Sequence, residues 1–552
     1  MLSRWRINLF IGVLLAVTGL VFYRLIYLAQ IRHEHFVKVS DMQYQSRQES
    51  TARRGAIYIN DFSSGEKQAV ALQKSFPYIY VIPKESKDTA SSAQKLVGVI
   101  GWDLEAALQI FSKKDDPFEV VKTNPTDQEL EAVRALNTKE ISIGYEERRF
   151  YPESNFLSQV LGFLGFEGDK RVGQYGLESF YEKNLSASIF SSSKSTQEEV
   201  KPDGEDLVLT IDRNVQLFAQ KELDYLMKKW TPTSGVIIVQ DPNDGSVIAM
   251  VGSPSFDPNN YGQYRLEDFT NKNVQEMFEP GSSFKPLTMA AALDKKRVTP
   301  ETTYYDTGET EIAGFKIRNF NEKAFGTQTM NQVLEKSLNL GAMFAQEKLG
   351  DDNFLDYVIN FGFGQLTGID LGGEVAGDIS NLYTKRKVNF ATASFGQGIA
   401  VTPIQLANSY SALANGGKLY RPFIVKERIK SNGERIVTKP ELIGTPISER
   451  ASSQIKAMLV RVVENGFDHA IVPGYDVAGK TGTAQVASKE GGYSEEFIHD
   501  IVGFAPAFSP RFVILIKLES PQGIKFAADS LSPSLGTMTR FLLNYFKIPP
   551  SK

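Results

Sequence analysis

The run INLFIGVLLAVTGLVFYRLIYL, from Ile7 to Leu28, most narrows what this chain can become. As a helix it is about 33 Å long, the thickness of a bilayer's hydrocarbon core. Its one charge, Arg24, sits near an end, where a long side chain can snorkel to the interface. A cleaved signal peptide is the alternative, but the apolar run continues past the weak small-residue site near Gly19. The expectation is a retained single-pass anchor, with residues 1–6 as a short cytoplasmic tail. Arg4 and Arg6 precede the span, while Arg24 near its far end and Arg32 and Lys38 after it balance them, so charge asymmetry alone barely orients it.

What lies beyond the anchor must fold as an independent body. The chain's 552 residues, 42% hydrophobic, suffice for two or three domains. Residues 30–46 read as a helical continuation, and 48–185 as a mixed region without a clean repeat. A polar stretch, Ser186–Asp206, then marks a boundary or an exposed hairpin. After it the pattern sharpens. DLVLTID reads as a strand, and Asp212 caps a helix through Trp230 with Val215, Phe218, Leu223, Leu226 and Trp230 on one face. Gly235–Val251 reads as a hairpin turning at Asp241–Gly245, and Phe512–Glu519 as a buried strand. Thr402, Pro403 and Gln405 form a capping box opening a helix that ends at Gly416 or Gly417. Helices and antiparallel hairpins alternate irregularly, which predicts an α+β fold.

Composition removes several chemistries. There is no cysteine, hence no thiolate nucleophile, disulfide or cysteine-bound zinc. The four histidines are His33, His35, His469 and His499, and none forms a zinc-binding H-E-x-x-H helix. A serine nucleophile would therefore look to lysine for its base. A net charge of −4 gives no footprint for nucleic acid. No metal site and no cofactor motif is read.

The string EPGSSFKP (Glu279–Pro286) supplies such a pair, Ser282 and Lys285. One helical turn puts i and i+3 on one face, and a helix N-terminus favours negative charge on the serine oxygen. Ser283 is the competing serine, without a lysine three residues on. Pro286 disfavours helical backbone at Lys285, although LTMAAALDKK behind it is strongly helix-forming. The spacing alone is weak, since Ser64–Lys67, Ser92–Lys95, Ser191–Lys194 and Ser453–Lys456 repeat it. Two further pieces follow in order. KSLNLG carries Ser337 and Asn339. AGKTGTAQVA carries Lys480, Thr481, Gly482 and Thr483 in a strand of small residues that a substrate backbone can approach. Thr481 and Thr483 share a strand face opposite Lys480.

Ser-x-x-Lys, Ser-x-Asn and Lys-Thr-Gly in this order make up the signature of penicillin-binding proteins and serine β-lactamases. FEPGSSFKP, DPNDGSVIAMVGSPSFDPN, SFGQGIAVTPIQLA, VAGKTGTAQ and VGFAPAFSP resemble division-type (FtsI-like) class B penicillin-binding proteins. RRGAIYI, RRFYP and GQYGLESFYEKNL resemble that family's N-terminal pedestal, although NDFSSGEKQ replaces its usual Asp-Arg-Asn-Gly. The resemblance implies a pedestal over 29–205 and a transpeptidase domain over 206–548. It implies an extracytoplasmic catalytic domain on the cytoplasmic membrane, with division-complex proteins and a SEDS-family glycan polymerase as partners. Substrates would be peptidoglycan stem peptides ending in D-Ala-D-Ala, with β-lactams as inhibitors.

By the same resemblance Ser282 is the nucleophile, Lys285 its base and Ser337 a proton shuttle. Asn339 would hold Lys285 and the substrate amide, and Lys480 would set the field. Thr481, Gly482 and Thr483 would bind the substrate's end, and the backbone N–H groups of Ser282 and Thr483 would form the oxyanion hole. Two rivals remain, a β-lactamase or penicillin sensor and a catalytically idle scaffold; a third, a bifunctional enzyme that also polymerises glycan, is rejected, and no glycosyltransferase domain is expected. EERRFYPES (Glu146–Ser154) mimics a glycosyltransferase string, but it lacks that string's histidine and lies too close to Ser282 for such a domain.

Overall fold

The computed structural model describes residues 12, 14, 15, 18–20, 53–168, 170–186, 203–320, 322–487 and 493–552. Most of the expected anchor, its continuation over 30–46 and most of the polar stretch lie outside them. Among the described residues no helix is long and apolar enough to cross a membrane.

The C-terminal part is built on a five-stranded antiparallel sheet. Its order is Ala478–Ala487, Tyr493–Ala505, Phe512–Glu519, Ser234–Gln240 and Val247–Ser253. The middle strands FVILIKLE and SGVIIVQ are β-branched, and nearly every residue in them is buried, because helices cover both faces. One face carries Arg213–Trp230 and Ala527–Tyr545, stacked on each other through Phe218 and Phe541 with ring centroids 3.8 Å apart. The other face carries Pro403–Ala414, whose Asn408 accepts a hydrogen bond from Gln240 of the sheet at 3.0 Å. The expected caps are present. Asp212 accepts from the N–H groups of Asn214 and Val215, both at 3.0 Å. Thr402 and Gln405 close their box with bonds of 2.9 and 3.3 Å.

A second, mixed sheet joins the N-terminal part of the chain to the C-terminal part. Asp206–Asp212 pairs parallel to Ile57–Asn60 and antiparallel to Val425–Ile429. The two expected domains therefore share a sheet across the boundary at 205/206. Beyond it, Lys67–Val81 pairs with Glu119–Thr123 and Ile141–Phe150. With the helices Thr89–Ile100, Leu104–Ser112 and Asp127–Leu136 these strands enclose a separate core around Ile79, Leu96, Phe111 and Ile141. This subdomain is the part in which no repeat was legible. NDFSSGEKQ turns out to be a hairpin turn, closed by Asp61 accepting from Ser63 N at 2.8 Å.

The three pedestal strings converge on one buried carboxylate. Glu178, with 0% exposure, accepts from Arg54 Nε at 2.8 Å, Arg149 Nε at 2.6 Å and the Tyr151 hydroxyl at 3.2 Å. The two guanidiniums hold Glu178 below the usual carboxylate range against its burial. Arg149 belongs to the string that mimics a glycosyltransferase motif, and here it ties a pedestal strand to this cluster.

Candidate active site

Gly281–Phe284 forms one 3-10 turn that runs into the α-helix Lys285–Asp294. Lys285 is helical despite the proline after it, because Pro286 falls at the helix start, where its missing N–H has no partner to lose. Gly281 enters the turn at φ +55°, and a Cβ there would press on Ala484 Cβ and the Thr483 carbonyl, both at 3.2 Å. The nucleophile turn thus lies directly against the Lys-Thr-Gly strand.

The two serines divide cleanly. Ser282 is half-buried, and its Oγ accepts from Lys285 Nζ at 3.0 Å. Ser283 is fully buried, and its hydroxyl donates to the Pro280 carbonyl at 2.8 Å. Tyr410 then donates to the Ser283 carbonyl at 2.6 Å, so that residue is fastened into the core. Two repeats of the spacing are ion-paired: Lys67 pairs with Glu427 at 2.8 Å and Lys95 with Glu140 at 3.0 Å, while Ser191–Lys194 lies outside the described residues. Ser453 and Lys456 sit inside the helix Glu449–Gly466, where burial lowers the Lys456 pKa but no second cation adds to it as Lys480 does for Lys285.

Ser337 comes to the same ammonium from a distant segment. It follows the helix Met330–Glu335 in a left-handed conformation, φ +57°, which few non-glycine residues adopt outside sites that need it. Its carbonyl and Oγ thereby accept from Lys285 Nζ at 2.6 and 3.2 Å. Lys285 has no carboxylate partner among these contacts, is 1% exposed and feels the Lys480 cation. Burial first, and Lys480 second, push its pKa well below that of a free lysine.

Asn339 is not brought to Lys285. Its Nδ2 donates to the Arg318 carbonyl at 2.8 Å, and its backbone N–H donates to Asn319 Oδ1 at 2.9 Å. Opening the helix Asn339–Leu349 turns this side chain toward the 318–319 loop.

Ala478–Ala487 is an edge strand, as expected. Lys480 is 2% exposed, and its Nζ donates to the Thr481 carbonyl at 3.0 Å. Burial lowers it to about 8, partly offset by Asp500. Gly482 admits no side chain, since a Cβ would meet Asp500 Oδ2 at 2.1 Å and the Pro280 carbonyl at 2.4 Å. Thr481 and Thr483 lie on the opposite face from Lys480. Thr483 Oγ1 accepts from Ala527 N at 3.1 Å, which leaves its own proton free. Sequence reasoning missed Asp500, Tyr410 and Asn319. None belongs to a motif, and only strand register and helix packing bring them here. Among the described residues no cluster of acidic or histidine side chains could hold a metal ion.

A partly exposed serine bonded to a buried lysine of lowered pKa, beside the edge strand of an antiparallel sheet, is an arrangement for acyl transfer. Residues 235–536 match the penicillin-binding protein transpeptidase domain, and residues 49–207 match the penicillin-binding protein dimerisation domain. The chain belongs to the class B penicillin-binding proteins, of the FtsI-like type. It is 34% identical to stage V sporulation protein D of Bacillus subtilis over 88% of this chain and 77% of that one. To the peptidoglycan D,D-transpeptidase FtsI of Escherichia coli it is 28% identical over 99% and 92%. The crystal structure of penicillin-binding protein 3 from Mycobacterium tuberculosis with aztreonam superimposes with a TM-score of 0.68. There the identity is 27%, covering 74% of this chain and 92% of that one.

Proposed function

We propose that this protein is a serine-type peptidoglycan D,D-transpeptidase that cross-links stem peptides in the division septum and is acylated by β-lactams. The observation that carries the reading is Lys285 Nζ, buried, within 3.0 Å of Ser282 Oγ and 3.2 Å of Ser337 Oγ, with burial and Lys480 holding its pKa well below that of a free lysine. Ser282 Oγ attacks the carbonyl of the penultimate D-alanine while its proton passes to Lys285 Nζ. The backbone N–H groups of Ser282 and Thr483 receive the developing oxyanion. The proton moves through Ser337 Oγ to the departing D-alanine amine. An amine from a neighbouring stem peptide then attacks the acyl-enzyme, forming the cross-link and restoring the serine. Lys480 supplies the field for the terminal carboxylate, and the free Thr483 proton bonds it, with Thr481 and the bare Gly482 backbone lining the approach. Asn339, anchored by Nδ2 on Arg318, keeps its Oδ1 for the substrate amide.

The organisation proposed with it is a tail at 1–6, an anchor at 7–28, a pedestal over 29–205 and a transpeptidase domain over 206–548. The anchor places the catalytic domain outside the cytoplasmic membrane, beside a SEDS-family polymerase and other division proteins. The apolar run Ile7–Leu28 supports this. A phosphatase fused after Lys552 is expected to be active outside the membrane, and an inactive fusion on an intact chain refutes the topology.

Penicillin labelling followed by peptide mass spectrometry tests the chemistry. The adduct is expected on the peptide at Ser282. An adduct on Ser283, or none on folded protein, refutes the assignment. The scaffold reading requires no adduct, and the β-lactamase reading requires rapid loss of it.

A further inference from the structure

Behind the Lys-Thr-Gly strand runs a row of charges that the chemistry above leaves unused. The antiparallel register sets Gly482 opposite Asp500, and Asp500 opposite Lys517. Strand alternation puts all three, together with Lys480, on the face that meets the nucleophile turn. The Asp500 carboxylate fills the room that Gly482 leaves open. It is 0% exposed, and neither of its oxygens has a hydrogen-bond partner. An unpaired buried carboxylate costs free energy that folding tends to remove, so its presence calls for a reason.

The groups facing it come from every neighbouring element. From the edge strand comes Lys480, two residues from the directly paired Gly482. From the inner strand comes Lys517, held by Glu276 at 2.8 Å with Glu519 at 3.8 Å. Ser283 faces it from the nucleophile turn but gives its proton to Pro280. Tyr410 stands on the covering helix with its hydroxyl on the Ser283 carbonyl. Lys285 lies beyond Lys480. His499 points to the other face, against Ser530. Lys517 is already matched by two carboxylates, whereas Lys480 makes its bond to a neutral carbonyl. Asp500 is therefore the anion available to Lys480. Burial pushes Asp500 up to about 7 while the cations Lys480 and Lys517 pull it down, and Asp500 in turn pulls Lys480 up.

We infer that Asp500 is a positioning residue for acylation, acting through Lys480: its carboxylate is the counter-charge that keeps the buried Lys480 ammonium charged. A charged Lys480 both attracts the substrate carboxylate and keeps Lys285 free of a proton. The inference rests on the roles given to Ser282, Lys285 and Lys480 above. Asparagine at 500 is the isostere of the protonated acid, which fixes the sign of the effect. At low pH, where Asp500 carries its proton, wild type and Asp500→Asn behave alike. As pH rises, only the wild type gains the anion, and the two separate.

The experiment measures the second-order acylation constant of the full chain in detergent with a fluorescent penicillin, from pH 5.5 to 9. The ratio of wild type to Asp500→Asn is expected near one at the acid end. It is expected to grow to about tenfold by pH 8.5, the effect of about one pKa unit on Lys480. A ratio that is constant with pH, whatever its size, marks a merely structural role and overturns the inference. Where Asp500→Asn fails to fold, Asp500→Ala decides. It too removes the anion, so the ratio of wild type to variant is again expected to grow with pH, and a ratio constant with pH overturns the inference. If wild type itself forms no adduct at Ser282, it is the underlying reading that fails. A normal wild type with a flat ratio refutes Asp500 alone.

Discussion

Replacing Lys285 by arginine separates the base from the charge. The wild-type ammonium has three oxygen neighbours, Ser282 Oγ at 3.0 Å, the Ser337 carbonyl at 2.6 Å and Ser337 Oγ at 3.2 Å. No anion compensates it in these contacts, and Lys480 repels its proton, so the neutral form that takes the serine proton is accessible. Arginine keeps hydrogen-bond donors in the same slot but does not deprotonate in proteins. A positioned general base contributes roughly 10²–10⁴-fold, so acylation should fall by about 10³, or about 4 kcal/mol of barrier. The longer side chain also overpacks a slot that is 1% exposed, at a cost of about 1–3 kcal/mol in stability. Lys285→Met controls for that effect, since it neither overpacks nor accepts a proton. Stopped-flow acylation by a reporter penicillin, with circular dichroism on each variant, is the assay. Both variants are expected to fold and to lose acylation alike. Folded Lys285→Arg that acylates within a few-fold of wild type would refute the base assignment and the mechanism built on it.

Two further outcomes follow from buried charges away from the nucleophile. Glu178→Gln keeps the volume but strips the anion from Arg54 and Arg149, leaving Glu182, at 2.8 Å, to Arg54 and taking from Arg149 its Glu178 pair. Breaking such a cluster costs about 3–5 kcal/mol, so chemical denaturation should show a large loss while the folded enzyme still acylates; an unchanged midpoint refutes the cluster's role. His499 is buried against Ser530, and burial lowers it from 6.5 to about 4. The unfolded chain takes up a proton near 6.5 that the folded chain refuses, so stability is complete above that pH and falls as pH drops toward 4. The loss is roughly 3 kcal/mol. His499→Asn should flatten this acid slope in melting experiments, and an identical slope would refute it.

Features set by near neighbours in the chain were readable from the sequence. A cap needs only its own first turn, and so Asp212 and Thr402 open their helices where expected. A hairpin needs a turn between two apolar runs, which Asp241–Gly245 provides. Ser282 and Lys285 meet because one helical turn fixes their spacing, and the order of the motifs carried the family. In residues 60–140, short helices with modest apolar faces pack on a strand pair closed by distant segments, and no local period announced them. Tertiary structure decided whatever joins remote segments or removes water. Strand register alone sets Gly482, Asp500 and Lys517 in one row, and a left-handed turn brings Ser337 to Lys285. Asn339 went to Arg318 rather than Lys285 for the same reason, because its side chain follows the helix that it opens. The shifted charges of Lys285, Lys480 and Asp500 have no counterpart in sequence. They come from burial and from neighbours that only the folded chain supplies.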